Sequence, residues 1–168
     1  QEGSGLPQEA VQGRSRAGKP AEQLDQEAAG IIEVNLHKSV GVLHYSRGQH
    51  HGYRLVLNAD QAISDYYRDL LPHWKKANPQ RYSAHISVVR HEIPVNLDAW
   101  GLHEGEEVEF NYTGEVFFGR VYCWLNVFCT RLEEVREELG LPVTSEYTLP
   151  PEGFVKCFHL TIGNFKDL

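Results

Sequence analysis

An α+β fold of two pseudo-symmetric lobes follows from three features of this chain. Apolar residues recur with period two in several short runs, which marks strands with one buried face. Two other runs repeat apolar residues at helical spacing. The order strand, helix, strand occurs twice, and each copy ends in a strand bearing histidine and a hydroxyl two residues apart. These are His85-Ile86-Ser87 and, 74 residues later, His159-Leu160-Thr161. Each lobe is expected to be a small antiparallel sheet packed with helix, with a cleft between the lobes lined by both histidine strands.

The 168 residues suit one domain of ordinary size. Residues 1–30 are rich in Gly, Gln, Glu, Ala and Ser, with too few aliphatic side chains to offset the entropy of ordering, and read as a flexible tail or linker before a domain over 31–168. The chain opens on Gln1 and contains no methionine, which suggests a processed or excised start. From Ile31 apolar residues alternate or cluster through Ser46, a polar turn runs from Arg47 to Gly52, and Tyr53–Leu57 reads as a strand. Asp60 is placed to cap a helix over 61–71, where Ile63, Tyr66, Tyr67, Leu70 and Leu71 share one face and Pro72 ends it. The first motif strand, 84–89, follows.

The second half begins with a loop holding a short turn at 97–100. Glu107–Tyr112 alternates as a half-buried strand, and 115–118 and 120–128 continue in the same manner. In that last run Tyr122, Trp124, Asn126 and Phe128 fall on one face and Val121, Cys123, Leu125 and Val127 on the other. Thr130 is expected to cap a helix whose buried stripe is Leu132, Val135 and Leu139 and whose stop is Gly140. A proline-bearing loop over 141–154 leads to the second motif strand.

The net charge of −7, from 16 Lys and Arg against 23 Asp and Glu, argues against gripping long double-stranded nucleic acid, which depends on neutralising many phosphates. A small phosphate ligand remains compatible. Cys123, Cys129 and Cys157 are odd in number and lack metal-ligand spacing, as expected of reduced core thiols in a cytoplasmic protein. No run of about eighteen apolar residues predicts a membrane span. Nothing in the sequence sets the oligomeric state.

Along a strand His85 and Ser87 share one face, as do His159 and Thr161, while Ile86, Val88, Leu160 and Ile162 face a core. Two such strands brought together place two imidazoles and two hydroxyls around a space about the size of a phosphate. Breaking a phosphodiester needs a base for the attacking oxygen, an acid for the leaving oxygen and donors for the non-bridging oxygens. Histidine serves both proton roles near neutral pH. The catalytic set is therefore expected to be His85, Ser87, His159 and Thr161, with no metal or cofactor, and with the base and acid roles unassigned between the histidines.

Two His-x-(Ser/Thr) strands, one per half, resemble the signatures of the 2H phosphoesterase superfamily, over roughly residues 40–168. The segments YYRDLLP, AHISVVR, YCWLNVF, LEEVREELGLP and FHLTIGN are most similar to small phage-type members, including the anti-CBASS phosphodiesterases of T4-like phages. The resemblance implies metal-independent opening of 3′,5′ linkages in cyclic or short oligonucleotide immune signals, in a host cytoplasm if the protein is viral. It also implies attack by a ribose 2′-hydroxyl to leave a 2′,3′-cyclic phosphate. Other superfamily members process 2′-5′ oligoadenylate or RNA ends, and a catalytically inactive nucleotide-sequestering module would keep the same motifs.

Base recognition in an acidic protein falls to stacking and hydrogen bonding, so Tyr53, Tyr122 and Trp124 are candidate nucleobase contacts. Tyr122 and Trp124 could equally be core residues between sheet and helix. His50-His51 with His44 nearby reads as an exposed turn rather than a metal site, because adjacent strand residues point to opposite faces.

Overall fold

The computed structural model describes residues 36–48, 52–143 and 157–167. The tail predicted for residues 1–30, the His50-His51 pair and most of the proline-bearing loop lie outside them. Six strands carry the fold: β1 (Leu36–Gly48), β2 (Gly52–Asn58), β3 (His85–Arg90), β4 (Glu107–Phe118), β5 (Tyr122–Phe128) and β6 (Phe158–Asn164). Two short helices, α1 (Gln61–Asp69) and α2 (Thr130–Glu138), join them.

All neighbouring strands are antiparallel, and they close in the order β1-β2-β3-β6-β5-β4 with β4 returning to β1. This corrects the two-lobed α+β expectation. Each half does supply two strands, a helix and a strand, but the halves do not build separate sheets facing across a cleft. They join edge to edge, β3 with β6 and β1 with β4, so the two sheet edges pair with each other and leave none open. The result is one closed barrel, mostly sheet, around one core.

That core follows the predicted alternation. Leu43, Leu55, Leu57, Ile86, Phe110, Leu125 and Leu160 point inward and are almost fully buried. Gly41 permits the close approach of β1 and β2, because a Cβ there would stand 2.5 Å from the Asn58 carbonyl oxygen. Predicted strand segments 107–112 and 115–118 are one continuous strand, β4, with a register shift between Tyr112 and Val116.

Helix α1 follows β2 directly and closes one end of the barrel. Ile63 and Tyr67 enter the core, and Tyr67 meets Tyr112 edge-on. Asp60 caps it by accepting the Ala62 N–H at 2.9 Å. Asp60→Ala is expected to destabilise the fold by about 1 kcal/mol, read from the denaturation midpoint. Leu70, predicted for the buried face, is 61% exposed, because the helix ends at Asp69.

Helix α2 follows β5 and closes the opposite end with Leu132, Val135 and Leu139. Its N-cap is Cys129 rather than Thr130. The extended backbone of Cys129 marks the entry, and no side chain caps the first turn. Gly140, at φ +79°, ends the helix, with the Leu141 N–H bonded to the Arg136 carbonyl. Among the described residues no helix is long and apolar enough to cross a membrane.

Candidate active site on the outer wall of the barrel

Strands β3 and β6 are neighbours, and Ile86 pairs with Leu160. Both side chains are fully buried. Paired residues in an antiparallel ladder share a face, and their neighbours point the other way. His85, Ser87, His159 and Thr161 therefore all stand on the outer wall, each half-buried. Continuing the register sets His85 across from Thr161 and Ser87 across from His159. The histidines occupy one diagonal of a quadrilateral, with Cα atoms about 7–8 Å apart, and the hydroxyls occupy the other.

The symmetry of this arrangement is local and has a structural cause. Ile86 and Leu160 are equivalent residues of the two halves, each following the motif histidine. Pairing equivalent residues antiparallel puts a pseudo-two-fold axis between them, normal to the sheet. A phosphodiester has the same symmetry, with two ester and two non-bridging oxygens. On the axis, an attacking and a leaving oxygen in line through phosphorus would meet the two imidazoles, and the non-bridging oxygens the hydroxyls.

Each strand is held from outside the ladder. The start of β3 is fixed by α1, where Gln61 Oε1 accepts the Ala84 N–H at 2.7 Å, and Ala84 O accepts the Ala59 N–H. Its end is fixed by α2, where Arg136 Nη1 donates to the Val88 carbonyl at 2.7 Å. Arg68 of α1 donates to the Ile162 carbonyl of β6. Beyond Thr161, Gly163 is roofed by the segment 77–78: a Cβ there would lie 2.8 Å from Ala77 Cβ.

Hydrogen bonding separates the two imidazoles. His85 Nδ1 lies 2.8 Å from the Ser83 carbonyl oxygen. A carbonyl only accepts, so Nδ1 carries the proton and the neutral ring keeps its Nε2 lone pair for a ligand. Burial holds His85 below the ordinary imidazole value; the Ser83 bond opposes this, and the charges of Arg54 and Arg90 add to it. His85 is thus favoured in its neutral form, with Nε2 unprotonated. The Nε2 atom of His159 is buried.

Trp124 stacks on His159 with centroids 4.7 Å apart and planes 22° from parallel. Its indole N–H donates to Asn126 Oδ1 at 3.2 Å. Trp124 is opposite Thr161 in the ladder, and Asn126 opposite His159. Trp124 therefore belongs to the histidine face and fixes the plane of one ring. No family model, curated protein or solved structure matches this chain. What the site can do is accordingly argued from its own groups.

The other predicted contacts lie apart. Tyr122 shares the outer face, but at the end of β5 opposite Asn164, with Lys166 Nζ 5.2 Å from its ring centroid. Tyr53 has the inward parity of Leu55 and Leu57. It packs edge-on against Trp100, with the Arg47 guanidinium over its ring, and is not brought to the site.

Burial pushes the Cys157 thiol up to about 12, which keeps it protonated and weakly nucleophilic. Cys123, Cys129 and Cys157 are all buried and unbridged. Among the described residues no three His, Cys, Asp or Glu side chains are grouped to hold a metal, and His44 is engaged by Glu104.

Four contributors escape a sequence reading. Gln61 acts through a bond to the Ala84 N–H, distant along the chain, and Asn126 accepts from Trp124 on its own strand and from the buried Cys157 thiol. Arg54 and Arg90 are single cations in strands, which read as solvated until the ladder pairs them.

Proposed function

We propose that the chain is a phosphodiesterase that cleaves 3′,5′ linkages of cyclic or short oligonucleotides by general base and general acid catalysis, without a metal. The observation that carries this reading is the presentation of His85 and His159 on one outer face, about 7–8 Å apart across a local two-fold, with Ser87 and Thr161 between them. His85 Nε2 takes the proton from a ribose 2′-hydroxyl. That oxygen attacks the adjacent phosphorus, the bond to the 5′ oxygen breaks, and His159 protonates the departing oxygen. The products are a 2′,3′-cyclic phosphate and a free 5′-hydroxyl. Ser87 and Thr161 donate hydrogen bonds to the non-bridging oxygens as charge develops there.

The resemblance of both motifs to 2H phosphoesterases supports the same chemistry and extends it to cyclic-oligonucleotide immune signals. The test is incubation with cyclic dinucleotides, cyclic trinucleotides, 2′-5′ oligoadenylate and an RNA ending in a 2′,3′-cyclic phosphate, all in EDTA, with products resolved by chromatography. Turnover of a cyclic or short 3′,5′ substrate is the expected result. Turnover confined to 2′-5′ linkages or RNA ends would replace the substrate, and tight binding with no product would make the protein a sequestering module.

A further inference from the structure

Arg54 and Arg90 are directly paired across β2 and β3. The next pair along, Leu55 and Val89, is fully buried, so the two arginines face outward, on the wall that carries the histidines. Side chains at such positions have Cβ atoms about 4.5–5.5 Å apart, and like charges there are unfavourable. Among the described residues no carboxylate offsets them. Glu92, two residues beyond Arg90, accepts the Arg90 backbone N–H at 3.3 Å but gives both its oxygens to the Arg136 guanidinium rather than to that of Arg90. Both arginine charges are felt at His85, which places them beside the catalytic quadrilateral. A chain of net charge −7 thus concentrates two uncompensated cations at one edge of this site.

We propose that Arg54 and Arg90 form a subsite for a second phosphate, flanking the scissile one. The substrate class is then an oligonucleotide, linear or cyclic, with at least two phosphates, rather than a mononucleoside cyclic phosphate. This deepens the phosphodiesterase reading and rests on it. Guanidinium forks match phosphate oxygens in pairs, and a bound dianion converts a repulsive pair of cations into a shared clamp. The clamp also sets direction: on a near-symmetric quadrilateral it stands on the β2 side alone and selects whether the 2′-hydroxyl or the departing 5′ oxygen faces His85.

The experiment compares cleavage of ApA with pApA and ApAp, and measures binding of the uncleavable 2′-deoxy dinucleotides dApdA, pdApdA and dApdAp by calorimetry. One of the terminally phosphorylated dinucleotides is expected to exceed ApA in kcat/KM by about tenfold or more. The same phosphate should tighten binding of the deoxy compound. The variant carrying Arg54→Gln and Arg90→Gln should bring both ratios close to one, while Arg54→Lys with Arg90→Lys retains part of each. Removing the two facing cations should leave the melting temperature unchanged or higher, which separates lost recognition from lost fold. Equal use of ApA and both phosphorylated forms, or a preference that survives the glutamine variant, would overturn the subsite and leave the phosphodiesterase reading standing. A phosphate preference in binding that the glutamine variant removes, with no cleavage of any dinucleotide, would keep the subsite and overturn that reading.

Discussion

Replacing His85 or His159 with alanine is expected to lower phosphodiester turnover by about a hundredfold to ten-thousandfold, the usual loss for one positioned proton-transfer group. The fold should survive, because both rings lie on the outer wall and neither fills the core. The two variants should differ in their pH profiles. In the proposed mechanism His85 is a neutral base, and burial depresses its value, so the acidic limb of kcat/KM should lie below pH about 6.5. That limb should vanish in His85→Ala and persist in the residual activity of His159→Ala. Profiles of unchanged shape in both variants would remove the imidazoles from proton transfer.

The largest stability effect is expected at Glu92. Arg136 is completely buried, and Glu92 pairs with it through both oxygens, at 2.9 and 2.7 Å. Arg136 also donates to the carbonyls of Val88 and Pro142. Glu92→Ala leaves a buried guanidinium without its counter-charge, and about 3–5 kcal/mol of stability should be lost in denaturant unfolding. Replacing both partners, Glu92→Gln with Arg136→Met, should cost less than Glu92→Ala alone, because no charge is then stranded. Turnover should fall in either variant beyond what unfolding explains, since Arg136 also fixes the end of the strand that bears His85. A double variant as unstable as Glu92→Ala would assign the loss to packing.

Much of the site was legible because side chains alternate along a strand whatever the strand pairs with. That rule alone put His85 with Ser87 and His159 with Thr161, opposite Ile86 and Leu160. It put Trp124 opposite Cys123 and Leu125 on β5 without saying which of the two faces is the core, and the parity of Tyr53 with Leu55 and Leu57 turns it inward. Closure of the barrel was not legible. Two strand-helix-strand copies are equally compatible with two lobes or one barrel, and the choice is made by the β1–β4 and β3–β6 edges, whose pairings join distant segments. The arginine pair was hidden for the same reason. The cap at Cys129 went unseen because Thr130 has the better capping side chain, whereas the chain geometry starts the helix at the threonine itself.

The central claim is that both imidazoles serve one ligand. Nitrogen-15 histidine NMR of the intact chain, titrated with the uncleavable dinucleotide dApdA, tests it most directly. His85 and His159 should shift together along a single isotherm with one equivalent bound. Movement of one ring alone, or two separate isotherms, would contradict a shared site.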